Sequence, residues 1–152
     1  MGIRKIVLEG DPILRKVCRP VSAVDDHIRE VLEDMRETML SADGVGLAGP
    51  QVGFLRRMFV VQTEDVCYKM VNPQIVFQEG EETDEEGCLS CPGKSGPVVR
   101  PTKITVEYTD ENGNAQSLTA EGLLARAICH ENDHLDGILY IDKATEIHHM
   151  EQ

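Results

Sequence analysis

The chain has 152 residues, enough for one domain with one substantial core, and its 41% apolar content is that of an ordinary globular protein and argues against disorder. Fifteen Lys+Arg against 27 Asp+Glu leave a formal charge of −12. That charge opposes direct nucleic-acid binding, which needs basic surface to neutralise phosphates, and docking on anionic membranes.

Taken in chain order, the start MGIRKIVLEGDP lacks the apolar stretch of a signal peptide, and no apolar run approaches the roughly 20 residues that span a bilayer. A cytoplasmic location is expected. DDHIREVLEDMRETMLSADG places Val24, Ile28, Val31, Leu32, Met35 and Met39 at helical spacing. The spacing predicts an amphipathic helix from about Asp25 to Ser41, with Gly44 just past its end as terminator. RMFVVQ and MVNPQIVFQ are short, apolar and β-branched, as strands are. The acidic run EGEETDEEG, residues 79–87, lacks the ligand spacing and glycine of a calcium loop, so a solvated strand edge or loop is expected. KITVEYTDENGNAQSLTA alternates at Ile104, Val106 and Tyr108, and Asp110, Asn112 and Gly113 carry turn chemistry, which predicts a hairpin. EGLLARAICHENDHLDG reads as a second helix stopped by Gly137, and ILYID as a last short strand. These elements make an α+β domain over residues 1–152. His27 and the pair His148–His149 are expected to be exposed.

ICHENDHLDG holds His130 and His134 four residues apart, which places both imidazoles on one helix face, one turn apart. HENDH fits H-E-x-x-H, the pattern of zinc-dependent hydrolases. The bland alternative is a wet helix face. Against it, Leu123, Leu124, Ala127 and Ile128 make the preceding turns apolar, and a buried histidine pair needs a partner. Asp133 lies on a different face and suits a supporting or surface role. Cys129 points about 100° from His130 and reads as core. Five cysteines, Cys18, Cys67, Cys88, Cys91 and Cys129, in a reducing compartment favour free thiols or a metal ligand over disulfides. Cys88 and Cys91 in EGCLSCPG are both candidate thiolate ligands, and spacing does not choose between them. One of them makes an open Cys-His-His site suited to catalysis; both make a closed structural site.

Three ordered motifs, GVGLAGPQ at 44–51, EGCLS at 86–90 and HENDHLDG at 130–137, resemble those of peptide deformylase. That metallohydrolase removes the formyl group from the N-terminal methionine of new bacterial polypeptides. The resemblance runs from DPILRKVCRPV to LYID, almost the whole chain. It implies antiparallel sheets packed around the motif-bearing helix. It makes Cys88, His130 and His134 the metal ligands, Glu131 the catalytic acid/base, and Gln51 with the Leu89 N–H the oxyanion hole. Val45, Gly46 and Gly87 would line the substrate cleft, and Leu123 and Ala127 would help form the pocket for the methionine side chain. The implied cofactor is one divalent ion, ferrous iron physiologically, replaceable by zinc or nickel. The implied partners are formyl-methionyl nascent peptides, with transient ribosome contact and a monomeric state. Gly49 stands where alanine is usual, implying a looser loop, and Cys91 where an aliphatic residue is commoner. No long C-terminal helix follows LYID.

The residues agree with that chemistry. A dication lowers the pKa of water to about 7, and Glu131 sits where it can take the water's proton and pass it to the leaving amine. Three rival readings remain: a structural module binding Cys88, Cys91, His130 and His134; another H-E-x-x-H peptidase or amidase with a different third ligand; and a redox protein using Cys88 and Cys91. Pro92 biases Cys91 towards extended backbone. An extended stretch would hold the two sulfurs too far apart to share one ion, so Cys91 is expected to pack away from the metal.

Overall fold

The computed structural model describes residues 2–150. Helix α1 (Asp26–Ser41) opens at Asp25, whose carboxylate accepts the Ile28 N–H at 2.9 Å. It buries Ile28, Val31, Leu32, Met35 and Met39 along one face, as their spacing requires. The left-handed residue that ends it is Asp43 (φ 57°) and not Gly44. The Gly44 N–H instead caps the Met39 carbonyl at 2.9 Å.

Strands β1 (Gly46–Ala48), β2 (Met58–Thr63), β3 (Val66–Glu79), β6 (Lys103–Thr109) and β7 (Ala115–Glu121) form an antiparallel sheet in the order β1-β2-β3-β6-β7. Strands β4 (Glu82–Glu86), β5 (Lys94–Arg100) and β8 (His148–His149) form a smaller one in the order β4-β5-β8. Helix α2 (Gly122–Leu135) packs on the larger sheet. The unbroken apolar run MFVV in β2 has a simple cause: both faces of that strand are covered. Phe59 and Val61 enter the core shared with α2, Met58 and Val60 the core beneath α1. Strand β3 shifts register between Val71 and Gln74. There Asn72 (φ 50°) turns its amide to clasp the Val21 N–H and carbonyl at 2.8 and 2.9 Å. The β6–β7 turn is the one its sequence predicts, with Asp110 accepting the N–H groups of Asn112 and Asn114.

ILYID is not a strand. Tyr140–Asp142 forms a 3-10 turn, because Asp142 Oδ2 accepts the Leu139 N–H at 3.1 Å and closes the chain on itself. Its apolar residues pack as a plug: Leu139 and Tyr140 are buried with Leu14, Cys91 and Val98. The acidic run is a strand edge over Glu82–Glu85, all exposed, but its last member, Glu86, is buried. His27, His148 and His149 are exposed.

An irregular N-terminal segment joins the two sheets. The Val7 N–H donates to the Gln51 carbonyl and the Glu9 N–H to the Ser90 carbonyl, each at 2.7 Å. Gln51 lies in the 3-10 turn Gly49–Val52 that follows β1. This turn is packed and not loose. A Cβ on Gly49 would lie 2.4 Å from the Phe54 carbonyl oxygen and 2.9 Å from that of Arg56. Gly49→Ala is therefore expected to cost about 1–3 kcal/mol, measured as a lower thermal midpoint. An unchanged midpoint would show that the turn yields freely.

Candidate active site

Helix α2 carries its polar signature inward. His134 is fully buried, Glu131 is 4% exposed and His130 8%. Such groups persist in a core only if something satisfies them. The Cys88 sulfur supplies part of the answer, lying 3.4 Å from His134 Nε2. Ligand atoms of Cys88, His130 and His134 all lie within 4.8 Å of one another. Ligands bonded tetrahedrally at about 2.0–2.3 Å stand some 3.3–3.8 Å apart, so this cluster is close to the spacing a divalent ion requires. Two nitrogens and a sulfur are also the donor types that suit zinc or ferrous iron.

What orients His130 was not legible in the motif. Glu86 Oε1 lies 2.9 Å from His130 Nδ1. A carboxylate can only accept, so Nδ1 carries the proton and Nε2 keeps its lone pair for the cleft. Glu86 is itself gripped by two guanidinium groups. Arg100 forks onto both of its oxygens at 2.8 and 2.9 Å, and Arg126 Nη1 reaches Oε2 at 2.6 Å. Arg126 also donates to the Val98 and Glu82 carbonyls, and Arg100 to Asp133 at 2.7 Å. This buried lattice fastens the ends of β4 and β5 to α2. Burial alone would raise the Glu86 carboxyl, but its hydrogen bonds from Arg100 and His130 hold it at about 2. Asp133 takes the supporting role expected of it, bonding Arg100 and Lys143, and Cys129 is core.

Glu131 and His134 each keep a buried atom unsatisfied among the described residues, Oε1 of the first and Nδ1 of the second. The other Glu131 oxygen, Oε2, lies 3.9 Å from His130 Nε2. Burial lifts the Glu131 pKa to about 7. His134 is driven the opposite way by burial, to about 3, and stays neutral. For His130, burial opposes charge, but the adjacent Glu131 and Glu86 carboxylates raise its pKa. Gly46 is the close-approach glycine of this site, for a Cβ there would lie 2.5 Å from Glu131 Oε2.

A cleft of about 340 Å³ opens onto this cluster. Val45, Gly46, Gln51, Gly87, Cys88, Leu89, Leu123, Ala127, His130 and Glu131 all line it, whereas His134 lies behind. The Gln51 amide oxygen accepts the Ala48 N–H at 2.9 Å, fixing the group so that its NH2 faces Ser90 Oγ at 3.0 Å and the Cys88 sulfur at 3.4 Å. The Leu89 N–H has no hydrogen-bond partner among the described residues.

Residues 88–91 are not extended. Cys91 N–H donates to the Cys88 carbonyl at 2.9 Å, closing a tight turn through Leu89 and Ser90. Pro92 restricts Cys91 but leaves the two residues before it free to bend. The Cys91 sulfur is nevertheless outside the Cys88–His130–His134 group, and its side chain is buried with Leu14, Val98 and Tyr140. Cys91→Val is expected to keep both metal and turnover. Loss of metal on that substitution, measured by metal analysis, would instead support a four-ligand structural site.

Three donors around an open cleft, with an unsatisfied carboxyl beside one of them, are the equipment of a metal-dependent hydrolase. Comparison with known proteins agrees. The model of the polypeptide deformylase family matches residues 3–150. The peptide deformylase of Caldanaerobacter subterraneus subsp. tengcongensis is 52% identical over 143 residues, covering 94% of this chain and 90% of that protein. The crystal structure of peptide deformylase from Thermotoga maritima superposes with a TM-score of 0.93 at 39% identity, covering 96% of this chain and all of that one. That of the Synechococcus elongatus enzyme in complex with actinonin gives 0.90 at 44% identity, covering 93% and 78%. The chain belongs to the polypeptide deformylase family, metal-dependent hydrolases that remove N-formyl groups.

Proposed function

We propose that this chain hydrolyses the formamide of formyl-methionyl peptides, with Cys88, His130 and His134 as metal ligands and Glu131 as acid/base. The observation that carries this reading is Glu131 itself: a buried carboxyl with one unpartnered oxygen, beside His130 Nε2, on the wall of the cleft. A divalent ion bound by the three donors would supply Lewis acidity, activating water and polarising the formyl carbonyl.

The remaining work belongs to the protein. Glu131 accepts a proton from the attacking water and delivers it to the leaving amine, and a pKa near neutrality suits both tasks. The Leu89 N–H and the Gln51 amide donate to the developing oxyanion, each worth about 3 kcal/mol of transition-state stabilisation. Gly46 lets the peptide approach Glu131 closely, and Val45 and Gly87 offer main-chain edges to it. Leu123 and Ala127 give the methionine side chain apolar wall. A formyl carbon carries only hydrogen, so a cleft this close around Glu131 excludes acetyl groups by bulk.

Ferrous iron is the ion we assign in the cell, with zinc or nickel as substitutes. The protein would work as a monomer on nascent chains in the cytoplasm, touching the ribosome transiently. The test is formate release from a formyl-Met peptide by the anaerobic ferrous protein, with the acetyl-Met and free-amine peptides as controls. Cleavage of an internal peptide bond without formate release would favour the peptidase reading. Iron-loaded enzyme is expected to lose activity in air and nickel-loaded enzyme to keep it. Equal decay of the two would contradict an iron-centred cause.

A further inference from the structure

The hydrolysis above uses one thiol, and the site holds two. Cys88 and Cys91 are the ends of a single turn. Such a turn keeps its end Cα atoms within about 7 Å, and a disulfide spans roughly 4.4–6.8 Å between Cα atoms. Both residues line the cleft, Cys88 partly exposed and Cys91 almost wholly covered.

We propose that Cys88 and Cys91 close a reversible disulfide when the enzyme meets a peroxide, and that closure withdraws the sulfur from the metal triad and releases the ion. The inference rests on Cys88 being a metal ligand. The Cys88 sulfur, reached through the cleft, attacks the peroxide O–O bond and becomes a sulfenic acid, releasing one water. The Cys91 thiol then attacks that sulfur and the sulfenic oxygen leaves as a second water. Two thiols are oxidised by two electrons and one peroxide is reduced. His130 and His134 remain, half of a metal site, and hold the ion weakly. Cys91 thereby spares Cys88 the irreversible sulfinic and sulfonic acids, and a dithiol reductant restores the site.

The experiment uses zinc-loaded full-length protein, since zinc does not change oxidation state, and a severalfold molar excess of hydrogen peroxide, enough to carry an unprotected thiol past the reversible sulfenic acid. Intact mass, peptide mapping and a chromogenic zinc chelator are the readouts. The expected result is a peptide linking Cys88 to Cys91 with the loss of two hydrogens, release of the zinc, and recovery of mass and zinc binding with dithiothreitol. Cys91→Val and Cys91→Ala are expected to gain oxygen at Cys88 and not to recover. Oxygen addition at Cys88 without a link in the wild type would overturn the proposal, as would recovery of both variants. A link that forms while zinc stays bound would overturn the release and remove Cys88 from the ligand set, a failure distinct from absence of the disulfide.

Discussion

Glu131→Gln is expected to bind a stoichiometric divalent ion and to lose turnover on the order of a hundred- to ten-thousandfold, the usual share of a general acid/base. The amide is nearly isosteric, so it leaves the Cys88–His130–His134 cluster intact and preserves the contact with Gly46. What it removes is the ability to hold and return a proton. The pH profile separates this from a packing defect. Burial, the largest influence, together with the charges around it puts the carboxyl at about 7; a dication beside it favours the ionised form and moves it lower. Activity of the wild type should therefore rise with pH through an acid limb below 7, because the base must be ionised to accept a proton. That limb should vanish from the residual activity of the variant. Metal content falling together with turnover would show Glu131 to be a ligand instead.

Glu86→Gln should be the most destabilising of the single substitutions considered. It removes the carboxylate shared by Arg100, Arg126 and His130, leaving Arg126 without its anion and Arg100 with Asp133 alone among the described residues. Breaking a buried pair from one side costs about 3–5 kcal/mol, which in a domain of this size lowers the thermal midpoint by about 10 °C. One oxygen becomes an NH2, so His130 must compete with both guanidinium groups for the single acceptor left, and weakening of such a partner lowers metal affinity by about 10–100-fold. The pH dependence has a definite sign. A carboxyl held at about 2, below its ordinary 4.5, gives its full stabilisation above 4.5 and loses it as the pH falls from there towards 2. Glu81→Gln, on the exposed part of the same acidic run, is the control and should change neither quantity. A Glu86→Gln protein that melts and binds metal like the wild type would refute the supporting role of this network.

Periodicity made α1 and the β6–β7 hairpin readable, because each buries one face and exposes the other, whereas α2 is covered on every side from Ala125 to Glu131 and was legible from its apolar turns and the Gly137 stop. It failed on ILYID, where five residues cannot distinguish a strand from an apolar turn and Asp142 decided the matter by bonding the Leu139 N–H. Pro92 misled at Cys88–Cys91, since it restrains one residue and the turn is made by the two before it. Of the site, the donors and Glu131 were visible through fixed spacings and ordered motifs. Glu86 was not. It closes a run of six acids, five of them solvated, and its cationic partners lie 14 and 40 residues away, where no local pattern reports them. The one available signal was its place immediately before Gly87 and Cys88, at the strand end that leads into the site.

The segment that joins the sheets also sets how sequence is allowed to vary there. Gln51 and Ser90 belong to different parts of the fold, and besides their own side-chain bond the main-chain N–H groups of residues 7 and 9 tie the segment to both. A bond made by the backbone does not ask which side chain is attached. For these two bonds covalent chemistry imposes one exclusion: proline, which has no N–H to give; the side chains add their own ties, Val7 packing beside the Leu14–Tyr140 cluster and Glu9 pairing with Lys94. Gln51 and the turn that carries Leu89 are thus tied to one stretch by bonds that a proline at either position would abolish.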